Sequence, residues 1–436
     1  MIHMARTKLI SGVDIGSSKI ATIIASLDDG EENIRVLGSS SINSRGVRKG
    51  QVVNIDEATG AIIDSVEAAE RMAGYNIADV YVSVGGQHIA SQNSKGVVAI
   101  AEPEEEISEE DVRRVIEAAK AISLPSSREI IDVVTRNFNV DGQEGIADPV
   151  GMSGIRLEVE THIVTGSTTA IKNLTKCISE VGANITGRIA TASASAEAVL
   201  SETEKELGVI LVDLGGGTTS SVIFIEGSPV FTSVIPVGAR NITNDLAIGL
   251  RLPLEVAEKV KVFIGGETKV SKSKNEKELK KSHNDDDELD LTVIEGIDEA
   301  KKVSKKTLIE GIIRPRLNEI FSLVGVEIKK SGFGGMTPSG IVLCGGGAMT
   351  AGIVDSARRT LSLPVRVGTP KGVVGLVDDI LSPEFATLVG LIKYALKRRV
   401  EPSNRLSLGR ISGVLRKIPV HGLANRTLNL IKSLLP

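Results

Sequence analysis

The stretch that decides the fold is Val212-Asp213-Leu214-Gly215-Gly216-Gly217-Thr218-Thr219, where an apolar strand ends in a turn of very small residues. The chain opens on a similar stretch, Val13-Asp14-Ile15-Gly16-Ser17-Ser18-Lys19, and a third follows at Val342-Leu343-Cys344-Gly345-Gly346-Gly347-Ala348. Glycine tolerates positive φ and lets backbone N–H groups approach a phosphate without a Cβ in the way. Taken together, the three stretches predict phosphate-binding turns, which no single one of them would establish.

The first two turns each open a similar unit of the chain. Strands are predicted at 8–15 and 20–26 around the first turn, and at 208–214 and 221–225 around the second. The strand before the second turn is almost entirely apolar, which is typical of a strand buried on both faces of a sheet. We therefore expect an α/β fold of two duplicated lobes, with a cleft where the turns meet.

The region from 85 to 164 differs in pattern from both lobes. Short predicted strands at 96–101, 130–138 and 156–164 surround one helix, whose start is marked by Ser108 and Asp111 at the spacing of a capping box. This pattern predicts a small α+β subdomain inserted in the first lobe. Farther along the chain, the charged stretch 267–306 is interpreted as a solvated mobile loop, and a helix is expected at 307–324.

The composition argues against several classes of protein. The 436 residues suffice for two to four domains, and only 2% are aromatic, which disfavours the stacking surfaces of single-stranded nucleic-acid binders. The two cysteines, Cys177 and Cys344, predict neither a disulfide framework nor a zinc site, so a reducing cytosol is the simplest compartment. The chain has no P-loop or dinucleotide-binding glycine motif, and no apolar run of the roughly 18 residues that span a bilayer.

The two duplicated turns carry carboxylates and hydroxyls beside their glycines. Asp14 and Asp213 stand at the strand ends and are candidates to hold Mg²⁺ across the cleft through water, because Mg²⁺ usually keeps several of its water ligands. The neighbouring hydroxyls that are candidate phosphate donors belong to Ser17, Ser18, Thr218 and Thr219.

The three turns resemble those of the actin-like ATPase superfamily, and other segments resemble its FtsA family of bacterial cell-division proteins. These segments are Ser44-Arg45-Gly46-Val47-Arg48-Lys49-Gly50, Gly86-Gln87-His88-Ile89-Ala90-Ser91-Gln92-Asn93, Asp148-Pro149-Val150-Gly151-Met152-Ser153-Gly154-Ile155-Arg156-Leu157 and Val234-Ile235-Pro236-Val237-Gly238. The third of them is the most telling, because it has no role in nucleotide binding. The resemblance implies an actin-like fold that holds ATP and Mg²⁺ in its cleft, with the insert replacing one small actin subdomain.

The resemblance also assigns roles to individual residues. It implies that the first two turns hold the phosphates from opposite sides, that the third contacts the adenosine, and that Glu258 and Lys261 meet ribose and adenine. The implied nucleotide-binding residues are Asp14, Gly16, Ser17, Ser18, Lys19, Asp213, Gly215, Gly216, Gly217, Thr218, Thr219, Glu258, Lys261, Gly345, Gly346 and Gly347. Thr191 and Ser220 stand where relatives carry carboxylates, and neither is a good general base, so slow or negligible ATP turnover is expected.

The family further implies partners and a domain layout. Expected partners are further copies of the chain in protofilaments, other division proteins, and the C-terminal peptide of the tubulin-like protein FtsZ, for which Arg314 and Arg316 are candidates. The predicted boundaries are 1–84 and 165–206 for the first lobe, 85–164 for the insert, 207–239 and 331–369 for the second lobe, 240–330 for its small subdomain, 370–400 for closing helices, 401–422 for a flexible basic linker and 423–436 for an amphipathic helix.

The C-terminal segment is basic although the formal net charge of the chain is -4. From Lys397 to the end there are nine basic residues and a single acidic one, Glu401. At about 100° per residue, apolar and polar faces separate from Leu423 onward, which predicts a short amphipathic helix. With the resemblance, this favours a peripheral position on anionic lipids at the inner face of the membrane, at the septum, rather than nucleic-acid binding. The residues expected to meet the membrane are Leu423, Arg426, Leu428, Leu430, Ile431, Lys432, Leu434 and Leu435.

The main hypothesis is an ATP-binding division scaffold that polymerises at the membrane and tethers FtsZ filaments to it. A related alternative is an actin-like protein of pilus assembly, and one from another class is a sugar or metabolite kinase on the same fold. The kinase would need a catalytic carboxylate beside a substrate pocket, for which the sequence offers no convincing candidate.

Overall fold

The described chain is a mixed α/β structure, in which runs of one to five strands are followed by one or more helices. The computed structural model describes residues 8–27, 34–100, 106–273, 287–291, 294, 302–376 and 380–400. The strands are β1 (Lys8–Ile15), β2 (Lys19–Leu27), β3 (Ile34–Asn43), β4 (Val47–Arg48), β5 (Gln51–Val52), β6 (Asp79–Val84), β7 (Ala90–Ala99), β8 (Arg128–Val140), β9 (Gln143–Ile146), β10 (Arg156–Ser167), β11 (Asn184–Ala190), β12 (Val209–Leu214), β13 (Thr219–Ile225), β14 (Ser228–Ile235), β15 (Glu288–Asp290), β16 (Lys302–Ser304), β17 (Ile341–Cys344), β18 (Val365–Val367) and β19 (Val373–Gly375).

The helices lie between groups of these strands, except for the last helix, which follows the final strand. They are α1 (Ile55–Ala73), α2 (Glu109–Lys120), α3 (Thr168–Glu180), α4 (Thr191–Val199), α5 (Glu202–Leu207), α6 (Ala239–Leu250), α7 (Leu254–Ser273), α8 (Lys305–Leu308), α9 (Arg314–Ser331), α10 (Ile353–Leu361) and α11 (Ala386–Val400). A π-helical turn joins α8 to α9 at Ile309–Ile313, and short 3-10 turns lie at Gly346–Met349 and Pro383–Phe385. In the described ranges, no helix is both long and apolar enough to cross a membrane.

Two sheets with matching strand order form the centres of the two lobes. In the described residues, one sheet has the order β11-β6-β1-β2-β3-β19 and the other the order β18-β17-β12-β13-β14-β7-β10-β8-β9. Each contains an antiparallel hairpin, β1–β2 or β12–β13, whose first strand lies parallel to β6 or β17 respectively. The first five strands of the two orders therefore correspond one to one, and the predicted duplicated α/β fold is confirmed.

Helix α1 illustrates how the sequence pattern builds the helical layer. The side chain of Asn54 caps its start by accepting a hydrogen bond from Glu57 N, and Gly74 ends it in the left-handed conformation at φ 73°. Its apolar positions, such as Ala58 and Ile62, are fully buried, and the helix packs on β2 and β3. Burying one side chain of the size of Ile62 stabilises the fold by about 2 kcal/mol.

The inserted α+β subdomain consists of β7, α2 and β8 to β10. Its helix begins as the sequence indicates: Ser108 Oγ accepts a hydrogen bond from Asp111 N at 3.3 Å, and the Asp111 carboxylate accepts one from Ser108 N at 3.1 Å. A Cβ at Gly96 would lie 2.7 Å from Ala119 N, so glycine allows α2 to lie directly against β7. Strands β7 and β8 are longer than predicted.

The sheet of the insert continues the sheet of the second lobe. Strands β7 and β14 share a single ladder pair, Ala90 with Ser233. Beyond it, the Ser91 hydroxyl takes the place of a backbone partner, because it accepts a hydrogen bond from Thr232 N at 2.8 Å and donates one to Thr232 O at 3.0 Å. Side-chain hydrogen bonds thus extend the pairing where the two backbones separate.

A buried histidine completes this junction. Nδ1 of His162 lies 2.7 Å from Asn93 Oδ1 and its Nε2 lies 3.0 Å from Thr232 Oγ1, while Asn93 Nδ2 donates to the carbonyl of Val230 at 3.0 Å. His162 is 1% exposed. Burial, and to a lesser degree the nearby Arg136 cation, lowers the pKa of His162 to about 4, so the imidazole is neutral at pH 7.

Three predicted segments differ from the structure. The helix expected at 307–324 occupies α8, the π-helical turn and α9, and therefore runs on to Ser331. The stretch 267–306 is not wholly a solvated loop: α7 continues to Ser273, β15 pairs with β16, and Leu289 is 3% exposed. Its apolar residues are too isolated among charged ones to form a recognisable pattern. In 370–400, the described residues form the strand β19, which joins β3, a 3-10 turn at Pro383–Phe385 and one α-helix, α11, rather than several closing helices.

Candidate functional site

The two duplicated turns face each other at the cleft. Each is closed in the same way, because Gly16 N donates to Lys19 O and Gly215 N donates to Thr218 O, both at 3.0 Å. A Cβ at Gly217 would lie 2.8 Å from Ser17 Oγ, and one at Gly216 would overlap Ser18 Oγ. The turns are therefore so close that residues larger than glycine would force them apart.

The third glycine turn lies against the second. Gly345 has a φ of 80°, and a Cβ there would lie 2.7 Å from Leu214 O and would overlap the carboxylate of Asp213. Its N–H donates to Pro383 O at 2.9 Å, which connects this turn to the segment before α11. Glycine is thus needed here both for its conformation and for its lack of a side chain.

One cavity of about 810 Å³ joins the three turns. Its volume is in the range of sites for cofactors and other small molecules. Fifteen of the predicted nucleotide-binding residues line it: Asp14, Gly16, Ser17, Ser18, Lys19, Asp213, Gly215, Gly216, Gly217, Thr218, Glu258, Lys261, Gly345, Gly346 and Gly347. Residues that are more than 300 positions apart in the sequence therefore share one wall.

The carboxyl of Asp14 is held in place by a neighbouring strand. Ser83 Oγ, on β6, donates to Asp14 Oδ1 at 2.6 Å and accepts from Ile15 N at 3.2 Å. Burial raises the pKa of Asp14 to about 6; the negative charge of Asp213 adds to the rise, whereas the hydrogen bond from Ser83 and the charge of Lys19 oppose it. The ionised form of this carboxyl is thus costly without a further cation.

Asp213 occupies the equivalent position in the second lobe. Its Oδ2 accepts hydrogen bonds from Ser195 Oγ at 2.5 Å and from Thr387 Oγ1 at 3.1 Å, and burial raises its pKa despite them. Two carboxylates that repel each other across a cavity suit a hydrated divalent cation, which would neutralise both. In the described ranges, no group of three or more His, Cys, Asp and Glu side chains is arranged to hold a metal ion directly.

Lys19 is engaged by two adjacent residues from the far end of the chain. Its Nζ lies 2.9 Å from Glu384 Oε2 and 3.5 Å from the centre of the Phe385 ring. Glu384 also lines the cavity. No local pattern in the sequence indicates this partner, since it lies 365 positions away.

Helix α7 contributes a second polar cluster to the cavity. Lys261 Nζ donates to Glu258 Oε2 at 2.7 Å and to Thr243 Oγ1 at 2.9 Å, and Thr243 Oγ1 also donates to Glu258. Lys261 is buried, whereas about half of the Glu258 side chain is exposed. Both lie on one face of α7, as their spacing of three residues requires.

Two hydroxyls at the cavity have no hydrogen-bond partner among the described residues. They belong to Ser44 and Thr350, and both oxygens are buried. Buried polar atoms are normally paired, so an orphaned one at a cavity wall suits a bound polar group. With the glycine turns and the paired carboxyls, they make the residues present a good fit for a nucleotide with Mg²⁺.

Some of the predicted site residues lie elsewhere. Thr219 does not line the cavity, because successive residues of a strand point to opposite faces; its hydroxyl is buried and donates to Val237 O at 2.8 Å. Arg316 forms a two-pronged ion pair with Asp245, at 2.6 and 2.9 Å, and Arg314 pairs with Glu310 at 2.7 Å. The predicted membrane residues, Leu423 to Leu435, lie outside the described residues.

Sequence reasoning missed the residues that position the carboxyls. Ser83 and Ser195 come from β6 and α4, and Thr387 and Glu384 come from the segment around the start of α11. Serine and threonine are too common for single occurrences to stand out. The only signal near Glu384 is Pro383, which is frequent in the first turn of a helix.

The duplicated lobes and the facing glycine turns define an actin-like protein. Solved structures with this fold include the type IV pilus complex PilM-PilN, with a TM-score of 0.60 and 16% identity over 88% of this chain and 97% of that one. Another is MreB5 of Spiroplasma citri bound to ADP, with a TM-score of 0.50 and 14% identity over 91% of this chain and 99% of that one.

The chain belongs to the FtsA family of bacterial cell-division proteins. Residues 210–390 match the model of the cell division protein FtsA, and residues 86–165 match the SHS2 domain inserted in FtsA. FtsA of Pseudomonas aeruginosa is 37% identical over 400 residues, which is 92% of each chain. FtsA of Escherichia coli K12 is 32% identical over 435 residues, 96% of this chain and the whole length of that one.

Proposed function

We propose that this protein binds ATP with Mg²⁺ in its cleft and acts as a division scaffold that polymerises on the inner face of the membrane and tethers FtsZ filaments there. The observation that carries the proposal is the convergence of three glycine turns and two buried carboxyls on one cavity. Membership of a family of actin-like division proteins supports the cellular role. The ADP that is bound to MreB5, a protein of the same fold, supports a nucleotide as the ligand.

The residues of the cleft divide into three roles in this proposal. The backbone N–H groups of the first two turns and the hydroxyls of Ser17, Ser18 and Thr218 donate hydrogen bonds to the phosphates. Asp14 and Asp213 hold a hydrated Mg²⁺, whose charge would neutralise part of the polyphosphate. The third turn, with Glu258 and Lys261, contacts the nucleoside.

ATP turnover is proposed to be slow or negligible. Thr191 and Ser220 line the cavity, and neither hydroxyl is basic enough to take a proton from an attacking water. Asp213 already accepts two hydrogen bonds from side chains, which lowers its availability as a base. A nucleotide that is bound and hydrolysed slowly serves mainly to hold the two lobes together, and steady-state turnover should stay far below the roughly 1 per second of a kinase.

Membrane tethering is assigned to residues 423–436. Their apolar face carries Leu and Ile but no aromatic residue, so a single copy binds weakly, and many aligned copies in a polymer would be needed for firm attachment. Arg314 and Arg316 remain the proposed contacts for the acidic FtsZ peptide. Because Arg316 already pairs with Asp245, the peptide would have to compete with that carboxylate.

The test is electron microscopy of the full chain on an anionic lipid monolayer with Mg²⁺ and ATP, together with vesicle co-sedimentation. Filaments on the lipid surface are expected. Leu430→Glu, on the apolar face of the tail, should abolish sedimentation with vesicles. The matched control Asn429→Glu adds the same charge to the polar face and should retain most of the binding. Equal loss in both variants, or lipid binding without residues 423–436, would refute the proposed anchor.

The pilus-assembly alternative rests on the fold alone, since PilM-PilN shares 16% of its residues with this chain. Binding of an FtsZ C-terminal peptide to the wild-type protein, measured by fluorescence anisotropy, separates the two functions. A division scaffold should bind the peptide, and a pilus protein should not. A kinase would need a carboxylate that is available as a catalytic base. The two carboxylates at the phosphate turns, Asp14 and Asp213, already accept hydrogen bonds from Ser83, Ser195 and Thr387, which argues against that function.

A further inference from the structure

We propose that Glu384 competes with the polyphosphate of a nucleotide for the ammonium group of Lys19, and that it thereby sets the affinity of the cleft for phosphorylated ligands. The inference rests on the proposed nucleotide site and adds to it a residue that weakens binding rather than supporting it. Glu384 is a positioning residue, because it acts through Lys19.

The contact between the two side chains is close and well supported. Glu384 Oε2 lies 2.9 Å from Lys19 Nζ, and Ser382 Oγ donates to the other carboxylate oxygen, Oε1, at 3.3 Å. The face of the Phe385 ring covers the same ammonium group at 3.5 Å. The side chains of Lys19 and Glu384 are only 21% and 33% exposed, so water screens the pair less than it would at the surface.

The position of Lys19 would allow its ammonium group to bind a phosphate in the cavity. It is the last residue of the first turn, and its carbonyl closes that turn by accepting from Gly16 N. Its side chain lines the cavity together with both glycine turns and Glu384. A lysine ammonium has three donors on a flexible stem and can therefore turn from one anion to another.

The carboxylate and a polyphosphate exclude each other at this place. Both are anions, and they would face the same ammonium, whose side chain is only 21% exposed, so water screens their repulsion only in part. A bound nucleotide must therefore draw Lys19 away from Glu384 or share it at a cost in repulsion. The affinity for phosphorylated ligands is lowered by whichever cost is smaller, whereas a ligand without phosphate does not meet this competition.

The test compares three ligands on the full chain and on Glu384→Gln. Calorimetry gives the dissociation constants of ATP and ADP with Mg²⁺, and competition against a fluorescent ADP analogue gives that of adenosine. Glu384→Gln should lower the dissociation constant of ATP by about fivefold to twentyfold, because Lys19 no longer has to give up a partly buried, charge-assisted contact to bind phosphate. The dissociation constant of adenosine should change by less than about twofold. If Glu384 had a purely structural role, its substitution would change the dissociation constants of all three ligands by the same factor.

Glu255→Gln is the matched control. It removes the same charge from the wall of the same cavity, but the ion pair of Lys19 is with Glu384 and not with Glu255, so it should change ATP affinity by less than about threefold. Glu384→Asp keeps the charge on a shorter side chain, so its ATP affinity should lie between those of the wild type and Glu384→Gln. It replaces Glu384→Gln in the test if that variant does not fold. Unchanged or weaker ATP binding in both Glu384 variants overturns the inference while the nucleotide site stands. No ATP binding by the wild type overturns both.

Discussion

Ser83 Oγ donates a 2.6 Å hydrogen bond to Asp14 Oδ1 and links the end of β1 to the parallel strand β6 at the edge of the cleft. The same hydroxyl accepts from Ile15 N, so one serine fixes both the backbone and the carboxyl at this point. The carboxyl is held in a fixed direction toward the cavity although its charge is unfavourable there. Function at this site is therefore gained at a cost in stability.

Asp14→Asn should stabilise the protein at pH 8 in the absence of nucleotide and Mg²⁺. Because the pKa of Asp14 is raised to about 6, the wild type carries an unfavourable charge above that pH, and the amide does not. The gain should be about 2 to 3 kcal/mol at pH 8 and should vanish as the pH falls from 6 toward 4, where the wild-type carboxyl takes up a proton. Thermal unfolding between pH 4 and 8 measures it. The exposed Asp79→Asn is the control, and a gain that does not vary with pH would contradict the prediction.

Gly216→Ala should destabilise the cleft, because its Cβ would overlap Ser18 Oγ in the opposite turn. A loss of about 1 to 3 kcal/mol is typical of such overpacking. The double variant Gly216→Ala, Ser18→Gly removes the opposing side chain and should recover most of that loss. Denaturant unfolding of the two single variants and the double variant gives the coupling between the sites. Strictly additive losses would show that the turns do not touch.

Gly390→Ala should be among the most damaging single substitutions outside the cleft. A Cβ at this position of α11 would overlap the backbone carbonyl of Ala194 on α4, which cannot move aside as a side chain would. We expect a loss of more than about 3 kcal/mol. Gly60→Ala is the matched control, since its Cβ on α1 meets only Arg45 Nη2, at 4.0 Å, and it should be neutral or stabilising. Similar melting temperatures for the two variants would disprove the close packing.

The junction between the insert and the second lobe should weaken in acid. Since the pKa of His162 is lowered to about 4, the stability from its neutral form is complete above about pH 6.5 and is lost as the pH falls toward 4. Asn93 and Thr232 bond the two ring nitrogens, and Arg136 adds a positive charge nearby. The wild type should lose up to about 3 kcal/mol more than His162→Gln between pH 7 and 4.5. Denaturant midpoints at the two pH values test this, and parallel losses would count against it.

The parts of the fold that could be predicted depend on contacts between neighbours in sequence. The turns at Gly16 and Gly215 follow from a strand that ends in small residues, and the start of α2 follows from Ser108 and Asp111. The family resemblance supplied the connection between the three turns, which local patterns alone do not provide. The turns and the start of α2 therefore need no knowledge of tertiary structure, whereas the grouping of the three turns around one ligand depends on the resemblance.

The parts that could not be predicted depend on distant contacts. Glu384 lies 365 positions from Lys19, and Thr387 lies 174 from Asp213, so nothing local marks either as part of the site. The position of Thr219 beside the second glycine turn predicts a place in the cleft, but alternation along β13 turns its side chain to the other face. Leu289 is buried although its neighbours are acidic, because the short strand β15 brings it to the core of the second lobe.

The shared sheet has a consequence for how the chain reaches its native state. Ser91 and Thr232, which join the insert to the second lobe, are 141 positions apart, and β7 leaves the ribosome long before β14 exists. Contacts between such distant segments carry a large loop-closure entropy and slow the folding reaction. Until β14 is synthesised and pairs with it, β7 presents an open sheet edge, which other chains can join. Ser91 and Asn93 place polar side chains along that edge, so we expect it to stay hydrated until β14 pairs with it, which disfavours association with other chains.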